Sequence, residues 1–117
     1  MEEQTKSIID RYSKAFAAHD PSDLTNIIGE DCVLENTGPA PDGAKYEGHD
    51  ACFNFWQGIA SNKDLVFDEE NVDILGDRAI ILWRLKWGEA EDQYVRGVNI
   101  MRVQEGKIVE ALGYVKA

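Results

Sequence analysis

Three polar side chains stand on faces that otherwise read apolar, and each could take part in chemistry at a small-molecule site. Residues two apart in a strand share a face, and one face of the segment 95–103 reads Val95, Gly97, Asn99, Met101, Val103, with Asn99 its only polar side chain. A second amide, Asn36, ends the row Cys32, Leu34, Asn36. Tyr12 falls on the apolar stripe of a helix, where a buried hydroxyl needs a hydrogen-bond partner. Two amides and a phenol can donate to and accept from a ligand's oxygen, but an amide is no general base at neutral pH. Each residue also has a plain structural reading. An Asn at a strand end satisfies loop backbone, a mid-strand Asn holds a buried water, and a helical Tyr is ordinary core. Taken together on faces that meet inside a curved sheet, they point to a lined pocket, with Trp56 and Met101 from the neighbouring apolar rows in its wall.

The elements that must hold these groups follow from periodicity. Ile8, Ile9, Tyr12, Ala15 and Phe16 are at helical spacing and predict an amphipathic helix over about residues 4–18. Asp20-Pro21-Ser22 has the form of a cap followed by proline at the first helical position, so a short second helix follows, with Gly29 as its stop. Cys32–Asn36 is a short strand running into the Pro/Gly loop Thr37–Gly43. Cys52, Phe55, Trp56 and Ile59 recur at i, i+3, i+4 and i+7, which gives a third helix over 49–61. Segments 65–75, 79–87, 94–103 and 108–115 are rich in β-branched, aromatic and aliphatic residues, and the short turns between them predict antiparallel hairpins. Helices first and a meander afterwards give an α+β fold, its helices covering one face of a curved antiparallel sheet.

Composition narrows the function classes. The 117 residues, 44% of them hydrophobic, suffice for one core, and we expect one domain over 1–117. Twenty-two acidic against 12 basic residues give a net charge of −10 and no basic cluster, which disfavours nucleic acid as a partner. No apolar run approaches the ~20 residues that span a bilayer, and the acidic start Met1-Glu2-Glu3 is unlike a signal peptide, so the expectation is a cytoplasmic protein without a membrane partner. Cys32 and Cys52 read as buried free thiols. His19 and His49 lack ligand spacing, and neither a metal nor a cofactor is implied. The acidic runs Asp68–Glu70 and Glu89–Asp92 fall at turns or bulges, where a solvated surface accounts for them.

Ile9-Asp10-Arg11-Tyr12 with Ala15-Phe16, Val33–Thr37 leading to Tyr46-Glu47-Gly48, and the closing Met101–Glu110 resemble the SnoaL-like and ketosteroid-isomerase-like branch of the nuclear transport factor 2-like superfamily. The resemblance covers about residues 5–116. It implies a cone-shaped α+β barrel of cystatin-like kind, with a curved sheet wrapped around N-terminal helices, an apolar pocket, and frequent dimerisation through the outer sheet face. In ketosteroid isomerases a tyrosine of the first helix and a protonated aspartate form the oxyanion hole, while a second aspartate moves the proton. Tyr12 matches that tyrosine; Asn36 stands at the position of the base and Asn99 at that of the oxyanion-hole acid. Polyketide cyclases and limonene epoxide hydrolases carry a working aspartate in the last strand, where this chain has Gly113, and Arg84 lacks the hydrolases' Arg-x-Asp pattern.

The expectation is therefore a pocket domain for a neutral, mostly apolar or amphipathic small molecule bearing a carbonyl or hydroxyl near Tyr12, Asn36 and Asn99. An isomerase- or cyclase-like enzyme using another acid is the alternative. A pure interaction module, its pocket filled by its own side chains, is the third reading. Val98 and Ile100, set among Tyr94, Arg96 and Arg102 on the opposite strand face, predict a homodimer.

Overall fold

The computed structural model describes residues 1–116. Helix α1 (Glu2–Ala17) buries Thr5, Ile8, Ile9, Tyr12, Ala15 and Phe16 along one side. Its first turn is tied to the far end of the molecule: Thr5 Oγ1 donates to the Gly76 carbonyl at 2.8 Å, and the Gly76 amide donates to the Glu2 carboxylate at 2.9 Å. The helix thus lies across the sheet with Tyr12 facing inward. Asp20 accepts from the Ser22 amide and caps the 3-10 turn Pro21–Asp23, which leads into the single turn α2 (Leu24–Ile27). Leu24 and Ile27 are wholly buried there. Gly29 does not end this helix, because the chain is already extended at Ile28.

Strand β1 (Ile28–Glu35) is followed by β2 (Lys45–Glu47), α3 (His49–Ala60), and the long strands β3 (Leu65–Leu75), β4 (Arg78–Trp87), β5 (Tyr94–Gln104) and β6 (Lys107–Val115). They form a six-stranded sheet in the order β2-β1-β6-β5-β4-β3. All neighbours pair antiparallel except β1 and β6, which run parallel, so the expected antiparallel sheet carries one parallel pair. The two end strands do not meet, and the sheet curls without closing. A bulge in β3, where Glu69 opposes Trp83 and Asn71 opposes Leu82, leaves Glu70 as the extra residue and sharpens the curl.

Helices α1, α2 and α3 pack into the concave side. The core there joins Ile9, Leu24, Ile27, Ile81, Met101 and Ile108, all nearly inaccessible. Cys32 and Cys52 are buried in the same body as free thiols. No helix is long and apolar enough to cross a membrane among the described residues.

Candidate functional site

The concave face is not filled along its whole length. Between α1, α3 and the strands β1, β3, β4, β5 and β6 lies a cavity of about 130 Å³. Its walls are aromatic and aliphatic, with Phe55, Trp56 and Ile59 from α3 facing Phe67 and Trp83 from the sheet. Its polar lining residues are Tyr12, Glu35, Asn36, Thr37 and Asn99, with Glu35 the one acid among them. All three polar residues singled out from the sequence therefore line one space, and Trp56, 4% exposed, joins them.

Within that set Asn99 is the pivot. Trp83 Nε1 donates to Asn99 Oδ1 at 3.1 Å, and Asn99 Nδ2 donates to the Tyr12 hydroxyl oxygen at 3.3 Å. The indole fixes which way the amide faces, and the amide in turn occupies a lone pair of the phenol. The hydrogen of Tyr12 is left to donate to another acceptor. Burial, reinforced by the charge of Glu69, pushes the Tyr12 phenol far above its ordinary range, with the Asn99 hydrogen bond opposing weakly. At neutral pH Tyr12 is thus a neutral donor.

Two glycines make this arrangement sterically possible. Gly97 opposes Trp83 in the β4–β5 register, and a Cβ on it would come within 2.4 Å of the indole ring. Only a glycine lets the indole lie across β5 and reach Asn99. Gly113 opposes Asn99 in the β5–β6 register, where a Cβ would stand 3.3 Å from Asn99 Oδ1 and 3.3 Å from Thr37 Cγ2. A glycine at 113 thus leaves the Asn99 amide its room. Asn36 is held differently. Its backbone N–H donates to the Ala44 carbonyl at 2.8 Å, closing the base of the Pro/Gly loop against the cavity rim.

Met101 is the exception among the expected wall residues. It is fully buried in the core and does not line the cavity. It pairs across the sheet with Ala79 and Ala111, whose small side chains leave room for the methionine to fill its own layer. Strand alternation finds the face but not the depth at which the cone closes. Trp83, Thr37, Phe55 and Phe67 belong to the cavity without having been singled out for it. Only Trp83 carried a readable signal, a buried indole N–H that must find an acceptor. Among the described residues no group of His, Cys, Asp and Glu is placed to hold a metal ion.

Fold and site together define a class: a curled α+β cone with a largely apolar cavity, one corner of which is a hydrogen-bonded set of helix tyrosine, strand amide and indole. The model of the SnoaL-like domain family matches residues 9–111, and the chain belongs to this family. A nuclear transport factor 2-like protein of unknown function from Mesorhizobium loti is 50% identical, with 99% of this chain and 93% of that one covered and a TM-score of 0.93. A protein from Kribbella flavida provisionally assigned as a ketosteroid isomerase is 17% identical over 98% and 79% of the two chains, with a TM-score of 0.82. One from Sinorhizobium meliloti provisionally assigned as a polyketide cyclase is 19% identical over 94% of each, with a TM-score of 0.72. The last two likenesses concern the fold alone. None of the curated proteins matches the chain in sequence.

Proposed function

We propose that this protein binds a small, neutral, largely apolar molecule that presents a carbonyl or hydroxyl oxygen to Tyr12. The observation that carries the reading is the chain of hydrogen bonds from Trp83 through Asn99 to Tyr12, which ends on an unused phenolic hydrogen beside an apolar cavity. No protein group accepts that hydrogen among the described residues, so it is free to be taken by a ligand oxygen in place of water. The cavity, at about 130 Å³, falls below the ~300–1,000 Å³ usual for drug-sized ligands, so the molecule is of about one ring in size. Asn36 and Asn99 neither take up nor release a proton at neutral pH, so the isomerase roles at those two positions are unfilled and binding is favoured, with Glu35 the one acid left on the lining. Acetophenone, ethylbenzene and benzoate compared by quenching of Trp56 and Trp83 test this. Acetophenone should bind most tightly and benzoate least, and a preference for benzoate would refute the reading. Isomerisation of a one-ring β,γ-unsaturated ketone by the wild-type protein at a rate matching Asn36→Asp with Asn99→Asp would favour the enzyme instead.

The convex face supports a second proposal, a homodimer. Leu82, Val98 and Tyr114 align across β4, β5 and β6, with Ile80, Ile100 and Leu112 as the next row. Leu82 and Tyr114 are 40% and 52% exposed, too open for a face without a partner. Arg84 and Arg96 with Glu70 flank these rows at one end, and Arg78 and Arg102 with Glu110 at the other. Each end carries two arginines and one glutamate, so a second copy related by a two-fold axis can set arginine against glutamate across the seam. Sedimentation should give twice 13.1 kDa, and Val98→Glu with Ile100→Glu should give the monomer. A wild-type monomer at low micromolar concentration would count against the dimer.

A further inference from the structure

We propose that Glu69 determines the specificity of the cavity's polar corner: its carboxylate beside Tyr12 makes that corner accept a neutral oxygen and turn away an oxyanion. This rests on the binding reading above and sharpens it to a charge state of the ligand.

Three observations place Glu69 there. In the β3–β4 register Leu65, Phe67, Glu69, Val72 and Ile74 oppose Trp87, Leu85, Trp83, Ile81 and Ala79, which puts Glu69 on the concave row as its only charged member. The bulge sends the adjacent Glu70 to the convex side, where it pairs with Arg84 and Arg96, whereas no cation pairs with Glu69 among the described residues. A gap of about 20 Å³, lined by Tyr12, Phe16, Phe67, Glu69, Trp83 and Asn99 together with Ile81, adjoins the cavity. That is room for one water between the polar groups. On its outer side Glu69 shares a groove with Asp10, Ser13 and Lys14 of α1; Asp10 is paired with Lys6 at 2.8 Å, so Lys14 is the cation that weakens the field of Glu69 from that side.

The carboxylate already acts on the Tyr12 hydroxyl in the same sense as burial does, against negative charge. An enolate, phenolate or carboxylate seated on Tyr12 would meet the same field, added to that of Glu35, which lines the cavity itself and is unchanged in every variant compared below. An oxyanion hole surrounds developing charge with donors alone, and a carboxylate on the same row works against that task. Glu69 is exposed, so water and salt reduce its reach, and the effect is a bias in affinity.

The test uses 4-(trifluoromethyl)phenol, one ring in size, whose 19F resonance reports both binding and ionisation. Its ionisation midpoint is measured bound to wild-type protein, to Glu69→Gln and to Glu70→Gln, the last removing the same charge from the convex face. Bound to Glu69→Gln, the phenol should ionise about half a pH unit lower than on wild type, roughly a threefold change in the neutral-to-anion preference. Glu70→Gln should behave as wild type. An unchanged midpoint in Glu69→Gln, or an equal shift in Glu70→Gln, overturns the role of Glu69 while leaving the cavity reading in place. If the wild-type protein does not bind the phenol at all, the cavity reading falls and the inference with it.

Discussion

Asn99 and Met101 are two residues apart on the same face of the same strand, yet one borders a cavity and the other is sealed in close-packed core. Their cross-strand partners account for the difference. Met101 lies between Ala79 and Ala111, and a large flexible side chain flanked by two small ones fills its layer. Asn99 lies between Ile81 and Gly113, with Gly97 two residues before it, and the glycines leave space that the indole of Trp83 fills only in part. The lesson is that a cone of this kind is opened by small residues beside its polar corner. Where the filling side chain is matched to its neighbours, the cone is shut.

Breaking the closed layer should have the largest effect. Met101→Ala removes a fully buried side chain and should lower stability by about 2–4 kcal/mol, measured by urea unfolding. Affinity for carbonyl ligands relative to hydrocarbons should stay as in wild type, since Met101 does not border the cavity. A changed ratio would place Met101 in the site after all.

The open layer should break through its glycines. Gly97→Ala puts a Cβ within 2.4 Å of the Trp83 ring, and displacing the indole should lower stability by about 1–3 kcal/mol. It should also uncouple Asn99 from its donor. The readout is a shift of the Trp83 indole N–H resonance on substitution, and an unmoved resonance would show that the indole does not depend on Gly97.

The same comparison explains what the sequence disclosed. Helical spacing in Ile8–Phe16 and Cys52–Ile59, and the turns at Gly76-Asp77 and Glu105-Gly106, marked α1, α3 and the hairpins to within a few residues because these signals are local. The three-residue β2 and the parallel pairing of β1 with β6 depend on partners distant in the chain, and nothing nearby encodes them. In the site, alternation found Asn36 and Asn99 and helical phase found Tyr12. Depth was illegible, which is why Met101 was expected in the wall. The run Asp68–Glu70 reads as solvated and at a turn or bulge, and both hold, but the row Glu69 stands on follows only from the apolar positions of β3, which change from odd (Leu65, Phe67) to even (Val72, Ile74) across it. That change of parity is the mark of a bulge, and it keeps Glu69 on the inner row.

The smallest effect belongs to the surface, far from both layers. Arg11 Nε and Nη2 each donate to the Asp23 carboxylate at 2.7 Å, and this, with a hydrogen bond from Asn26, holds the Asp23 carboxyl down at about 2. A lowered carboxyl stabilises the fold above its unfolded value, and that contribution fades as pH falls from about 4 towards 2. Because the pair is exposed, Asp23→Asn should cost less than about 1 kcal/mol at pH 7 and should flatten the stability profile in that acid window. An unaltered profile would remove the pair from the account.

The central claim is that the hydrogen of Tyr12 meets a ligand's oxygen. Acetophenone and ethylbenzene titrated against wild-type protein and Tyr12→Phe, followed by tryptophan fluorescence, test it directly. Tyr12→Phe should weaken acetophenone by about 1 kcal/mol, roughly fivefold, and leave ethylbenzene unchanged. Equal weakening of both, or of neither, would show that Tyr12 is a packing residue and that the corner it shares with Asn99 and Trp83 recognises nothing.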